Sequence, residues 1–193
     1  MPKVLISGQK ASKEEIVEEK EDKTLAERGF PVIYDQSMDL RRLMLRTLDK
    51  DNIRNINYDI TEDRFKVLGA GVIRMVRMRV EPFLEEETSA QAAQRLLAAG
   101  HTLGNSKDLP SFLYDYPQEW AKWRWILAIN EESRWRCYGS VFVMYAYSEG
   151  EKRGYNHCGF SDPVGCSEKN PNGVLVLTEN VGEKVRSALE EKK

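Results

Sequence analysis

The sequence predicts a mixed α+β fold, on three observations. Apolar residues recur with helical spacing in some segments: Leu40, Leu43, Met44, Thr47 and Leu48 fall at i, i+3, i+4, i+7 and i+8. Elsewhere they alternate with polar residues as in a half-buried strand, as Val76, Met78 and Val80 do against Arg77 and Arg79. The chain has 193 residues, 41% apolar and 31% charged, enough to build a core and to solvate its outside.

Taken in order, Val4-Leu5-Ile6 predicts a short strand that Ser7-Gly8 turns out of. Ser12-Lys13-Glu14-Glu15 fits a capping box, with the Ser12 hydroxyl accepting from first-turn amides and Glu15 reaching back. The Glu- and Lys-rich stretch to Arg28 has too few apolar residues for a continuous stripe, so it reads as a solvated helix or arm. Gly29 and Pro31 end it, and Val32-Ile33-Tyr34 reads as a strand. The helix from Asp39 follows. Ile56, Tyr58 and Ile60 then alternate as a strand, and a longer strand runs to Val80 and is closed by Pro82.

Thr88-Ser89-Ala90-Gln91 is a second capping box, opening an Ala/Leu helix that Gly100 stops. A short helix carries Leu109, Phe112, Leu113 and Tyr116 and is expected to end at Pro117. Trp120, Trp123 and Trp125 lead into Ile126-Leu127-Ala128-Ile129, and a polar turn from Asn130 to Ser133 precedes a β-rich run from Trp135 to Tyr147. Read as one run, it puts Trp135, Cys137, Val141, Val143, Tyr145 and Tyr147 on one face, and Tyr138, Ser140, Phe142 and Met144 on the other. Ser148 to Pro171 has the composition of a long structured loop. Val174-Leu175-Val176-Leu177 is a closing strand, and Asn180 caps a final helix through Val181, Val185, Ala188 and Leu189.

Composition narrows the function classes. A net charge of −2 supplies no global field for gathering nucleic acid or anionic membrane. No run approaches the roughly 18 apolar residues that cross a bilayer. The N-terminal apolar stretch is too short for a secretory signal, so the expected location is cytoplasmic or virion-associated. The three cysteines, Cys137, Cys158 and Cys166, form no Cys-x-x-Cys; a single bridge and three reduced thiols both stay open.

Candidate motifs for chemistry fall short. Gly69-Ala70-Gly71 lacks the third glycine of a dinucleotide fingerprint, since Arg74 stands in its place, and reads as a kink in a strand. His157-Cys158 and Cys166 lack the usual spacing of zinc ligands, so no metal is expected. With His101 and His157 the only histidines and no nucleophile-elbow pattern, no catalytic residue and no cofactor are expected either. Arg41, Arg42 and Arg46, and Arg74, Arg77 and Arg79, read as solvated faces. The segment from Gly154 to Ser167 contains no Lys, Glu, Gln, Met or Trp. Its Tyr, Asn, Ser and Gly content is that of antibody-like combining sites, where rigid amphipathic rings sit beside small adaptable polar groups.

From about Thr88 to Leu177 the order of features resembles the variable proteins of diversity-generating retroelements. The pieces are a helix ended by Gly100-His101-Thr102-Leu103, a second helix from Asn105 to Tyr116, and the Trp-rich strand Trp123-Arg124-Trp125-Ile126-Leu127. Ser133-Arg134-Trp135-Arg136-Cys137-Tyr138, the Tyr- and Asn-rich stretch and a closing Gly173-Val174-Leu175-Val176-Leu177 follow. The family's closing Gly-Phe-Arg-Leu is echoed only loosely there, without the arginine. The resemblance implies a C-type-lectin-like half at residues 85–193 and an N-terminal α/β elaboration at residues 1–84. It further implies ligand binding without catalysis, toward a protein or other macromolecule and not toward nucleic acid or membrane. The contacts it implies are Tyr138, Ser140, Phe142, Tyr145, Tyr147, Tyr155, Asn156, His157, Phe160 and Asp162, on one solvent-facing surface. The rival expectations are an oxidase of formylglycine-generating type, favoured by Cys158 and Cys166, and a phage structural or assembly protein, favoured by the charged arm.

Overall fold

The computed structural model describes residues 27–49, 52–67, 73–164 and 171–180. Along the chain these form β1 (Phe30–Asp35), α1 (Leu40–Thr47), a 3-10 turn (Ile53–Asn55), β2 (Ile73–Pro82), α2 (Ser89–Ala98), β3 (Thr102–Leu103) and α3 (Asp108–Asp115). Then come α4 (Pro117–Trp120), β4 (Trp125–Ala128), a 3-10 turn (Glu131–Ser133), β5 (Trp135–Cys137), β6 (Ser140–Glu149), β7 (Lys152–Gly159) and β8 (Asn172–Asn180). The expected strand at Val4–Ile6, the arm from Ser12, the glycines Gly69 and Gly71, Cys166 and the final helix lie outside the described residues.

Local signals position several elements. The Asp39 carboxylate accepts from Arg42 N–H at 3.1 Å, capping α1, whose Leu40, Leu43 and Met44 are buried. The Thr88–Gln91 box closes in both directions, the Thr88 hydroxyl accepting from Gln91 N–H at 3.2 Å and Gln91 Oε1 from Thr88 N–H at 2.8 Å. Gly100 ends α2 with φ 83, and the N–H groups of Gly100 and His101 return to the carbonyls of Leu97 and Leu96. α3 ends directly before Pro117, as expected, with Tyr116 in a non-helical conformation, and Pro117 then opens α4, where a proline at the first helical position gives up an N–H that has no partner.

The strands form a mixed eight-stranded sheet in the order β1-β2-β8-β4-β6-β5, with β3 on β8 and β7 on β6. All pairs are antiparallel except β4 with β8. One face packs α1, α3, α4 and the 52–67 loop on Val32, Met78, Leu175, Ile126, Met144 and Tyr155. The other packs α2 on Leu127, Val143, Val174 and Val176. β1, β2 and the 52–67 loop therefore share one core with α3, β4, β6, β7 and β8, so the stretch expected as an N-terminal elaboration and the expected binding domain are built on one sheet.

Two elements differ from the sequence reading. The alternation at Ile56, Tyr58 and Ile60 makes no strand: Ile56 forms an isolated bridge to Tyr155, Ile60 is buried, and Tyr58 stands in solvent. Within the stretch expected as loop, Lys152–Gly159 is a strand paired along its whole length with β6. Its residues have little intrinsic strand signal, and cross-strand packing overrides that.

Candidate functional site

β5 and β6 are joined by a two-residue turn. The register pairs Cys137 with Ser140 and Trp135 with Phe142, leaving Tyr138 and Gly139 at the tip with φ 46 and 81. Two positive values at the centre of a tight hairpin give the turn whose twist matches the flanking strands, a position normally filled by Asn-Gly or Asp-Gly. Glycine meets the second requirement without strain. Tyrosine at the first does not, since a side chain in the left-handed region costs roughly 1–2 kcal/mol. Tyr138 is also fully exposed, at 103% of its reference area. A strained aromatic ring held in water with nothing to pack against is an outlier of the kind that clusters at binding sites.

The turn shifts the parity of the run. Trp135 and Cys137 share a face with Phe142 and Ser140, not with Val141 and Val143 as a continuous strand would require. The expected contacts do not share one surface either, because residues along β6 and β7 alternate between two faces. Phe142, Tyr155 and His157 face α3 and the 52–67 loop, whereas Tyr145, Tyr147 and Asn156 are paired along the opposite face.

Tyr155 is a core residue with no exposed area, which removes it from any contact surface. The Thr47 hydroxyl donates to Met44 O, so the Tyr155 hydroxyl is the donor in their 2.7 Å bond, and its ring lies 5.4 Å from that of Trp120. His157 is walled by Phe65, Trp135 and Phe142, with ring centroids 6.3, 5.4 and 5.2 Å away. Both its ring nitrogens are shut off from solvent without a hydrogen bond, and Asp59 Oδ2 stands 3.7 Å from Nε2. The other Asp59 oxygen is held by Arg64, whose guanidinium lies over Trp135 at 4.5 Å. Burial, with help from Arg64, pushes the His157 pKa down.

On the other face Tyr145 is also buried, against Trp125 at 4.8 Å, and burial pushes its pKa up to about 12. Tyr147 is half-buried, and the Asn156 side chain accepts from Asn57 Nδ2 at 2.7 Å. Cys158 is raised to about 12, chiefly by burial, so it is a thiol and a poor nucleophile at neutral pH.

A smaller group stays at the surface. The Phe160 N–H donates to Val141 O at 2.7 Å, which sets the turn after β7 beside the hairpin tip. Tyr138, Ser140 and Asp162 are exposed there, and Phe160 is half-buried under the Arg134 guanidinium at 3.9 Å. Asp162 folds back to accept from Gly159 N–H at 3.0 Å, fixing the turn. Arg136, paired loosely with Glu131 at 3.5 Å, lines the same edge. The sequence reading passed over Arg134 and Arg136, although both flank Trp135 and precede the turn.

It also passed over a buried polar network. Asp108 accepts from the Tyr34 hydroxyl at 2.7 Å and from Asn105 N–H at 2.9 Å, and pairs with Arg74 at 3.2 Å. Beside it, Lys107 Nζ bonds Glu62 at 2.5 Å and Gln36 O at 2.8 Å, while the second Glu62 oxygen accepts from Leu40 N–H. Burial raises the pKa of Asp108 against the pull of Arg74. These groups satisfy one another and tie α3, β1, β2, α1 and the 52–67 loop together.

Among the described residues no group of three or more His, Cys, Asp or Glu side chains is placed to hold a metal ion, and no helix is long and apolar enough to cross a membrane. Comparison with family models, with curated proteins and with solved structures found no match.

Proposed function

We propose that this chain is a target-binding protein without catalysis, carrying a C-type-lectin-like scaffold whose late surface is diversified by a retroelement. The observation that carries the reading is Tyr138, a fully exposed ring in a strained turn, flanked along the hairpin by exposed Arg136 and Ser140. Such a cluster joins an aromatic anchor to small polar and charged neighbours on a rigid hairpin, so little ordering entropy is lost on contact. The layout behind the resemblance supports it: a helix ended by Gly100, a second helix, a Trp-rich strand and a closing strand correspond to α2, α3, β4 and β8. The half-buried Cys158, held as a thiol by the raised pKa that burial gives it, weighs against the rival oxidase.

The test is genetic. Sequencing the DNA around the gene is expected to find a reverse-transcriptase gene and a near-copy of the segment encoding residues 136–167, differing from it only at adenines. If no such copy exists, diversification is ruled out. Binding would then have to be judged on the hairpin alone.

A further inference from the structure

His157 stands on β7 opposite Met144 of β6, with its ring packed among Phe65, Trp135 and Phe142. Among the described residues neither ring nitrogen has a hydrogen-bond partner, although both are closed to water. A buried polar ring without partners is costly, and a charged one far more so. The charged groups that face it come from the 52–67 loop. Asp59 Oδ2 lies 3.7 Å from Nε2, and Arg64 acts on the ring from beyond it. β5 and β6 present only Trp135, Phe142 and Met144 to it, since Arg136 lies on the opposite face of β5 beside Glu131. On β7 itself the neighbour on this face is Tyr155, whose hydroxyl is bonded to Thr47.

Asp59 gives its other oxygen to Arg64, and the Arg64 guanidinium lies over the Trp135 ring at 4.5 Å. Imidazole, carboxylate, guanidinium and indole thus form a chain of contacts from β7 to β5. The loop that supplies its middle is fastened by other bonds. Asn57 N–H donates to Tyr155 O at 3.0 Å, and Asn57 Nδ2 donates to Asn156 at 2.7 Å. Phe65 N–H donates to Thr61 O at 3.0 Å, and Phe65 O accepts from the Ser106 hydroxyl at 3.0 Å. The Arg64 side chain can therefore leave Trp135 while the loop backbone stays in place.

We infer that this cluster is a pH-sensitive switch at the base of the β5–β6 hairpin, in which protonated His157 takes the Asp59 carboxylate and Arg64 leaves the Trp135 ring. A buried imidazolium needs a counter-charge, and Asp59 is the carboxylate beside it. Closing the 3.7 Å gap to a hydrogen bond draws Asp59 toward β7. Two cations then compete for one carboxylate. Arg64 gives way, because its side chain is 39% exposed and its charge returns to water, whereas that of His157 is 16% exposed. Burial and Arg64 together hold the His157 pKa below its ordinary value of 6.5. The arrangement with Arg64 over Trp135 is therefore complete above that value and is lost as the pH falls through the folded pKa. Trp135 opens the strand that leads to Tyr138. Any bearing on target contact rests on the proposed function; the switch itself does not.

The experiment is an NMR titration of the full chain from about pH 7.5 to about 5, across the range where histidine changes charge. It follows the His157 ring protons and the nuclear Overhauser contacts between the Arg64 side chain and the Trp135 indole. Those contacts are expected at the upper pH and fade with the midpoint of His157, while the core amides keep their native positions. Arg64→Gln raises that midpoint, since the repelling charge is gone and Asp59 is free; Asp59→Asn lowers it. A residue that only packs produces no such pair of opposite shifts. In His157→Gln the Arg64–Trp135 contacts persist to the lower pH. Four results overturn the inference. One is a His157 that titrates, or stays neutral throughout, with Arg64 still over Trp135. Another is an equal loss of the contacts in His157→Gln, which assigns the trigger to a different group. The third is a midpoint that Arg64→Gln leaves unchanged or lowers. The fourth is collapse of the core amides over the same range, which makes the event general unfolding. The native titration and the Arg64→Gln titration decide the matter even if His157→Gln does not fold.

Discussion

Replacing Tyr138 with Asn separates a contact residue from a packing residue by the sign of its effect on stability. The native φ of 46 at Tyr138 is adopted by Asn more readily than by Tyr, because a short polar side chain bonds locally in the left-handed region. The ring makes no packing contacts that its removal would forfeit, since it is fully exposed. The substitution is therefore expected to stabilise the fold by about 0.5–1 kcal/mol, part of the roughly 1–2 kcal/mol that the left-handed conformation costs. For a chain of this size about 1 kcal/mol shifts the melting temperature by about 2–4 °C, so a rise of about 1–4 °C is expected by differential scanning calorimetry. An aromatic residue with a structural role behaves in the opposite way, losing about 3–5 kcal/mol when truncated. A melting temperature lowered by more than about 2 °C in Tyr138→Asn refutes the reasoning, because it means that the ring packs. A stabilising change that also removes target binding is the trade expected where strain is kept for function.

Two other residues give contrasting outcomes. Tyr155→Phe loses only the hydroxyl bond to Thr47 and is expected to cost about 1 kcal/mol, while Tyr155→Ala costs about 3–5 kcal/mol; urea titration measures both, and a neutral Tyr155→Ala would return the residue to the surface. His157 has a folded pKa below its ordinary value near 6.5, so the stability tied to its neutral form is complete above that pH and is lost as the pH falls through it. Urea midpoints compared at pH 7.5 and 5.5 should show this loss in the native chain and a smaller one in His157→Phe; equal pH responses would clear His157 of the effect.

Much of the fold could be read wherever one residue type answers to one geometry. The α1 stripe, the Thr88–Gln91 box, Gly100 as helix stop and the alternating β2 are of this kind, since each signal is local. β7 was missed because Gly154 and Asn156 break the strand signal and Tyr155 alone favours it, and the pairing with β6 is a tertiary fact. The turn at Tyr138 was hidden for a related reason. A tyrosine is a poor marker for the left-handed region, so the run read as one strand and its faces came out mixed. Reading β7 as loop is what grouped Tyr155 and His157 with residues that do reach the surface. The Asp108 and Lys107 network was invisible because its members lie tens of residues apart and meet only in the folded chain.

The position of β8 bears on how the molecule is assembled. It lies between β2 and β4, and β3 also hydrogen-bonds to it, so the ladder joining β1 and β2 to β4, β6, β5 and β7 passes through residues 172–180. A ribosome delivers that strand after every other one described. Until it emerges, β2 and β4 each present a raw edge, and no ladder among the described residues joins the two parts of the sheet. Folding of this topology is therefore a late, long-range event, most exposed to misassociation during the interval when its keystone strand is still in the exit tunnel.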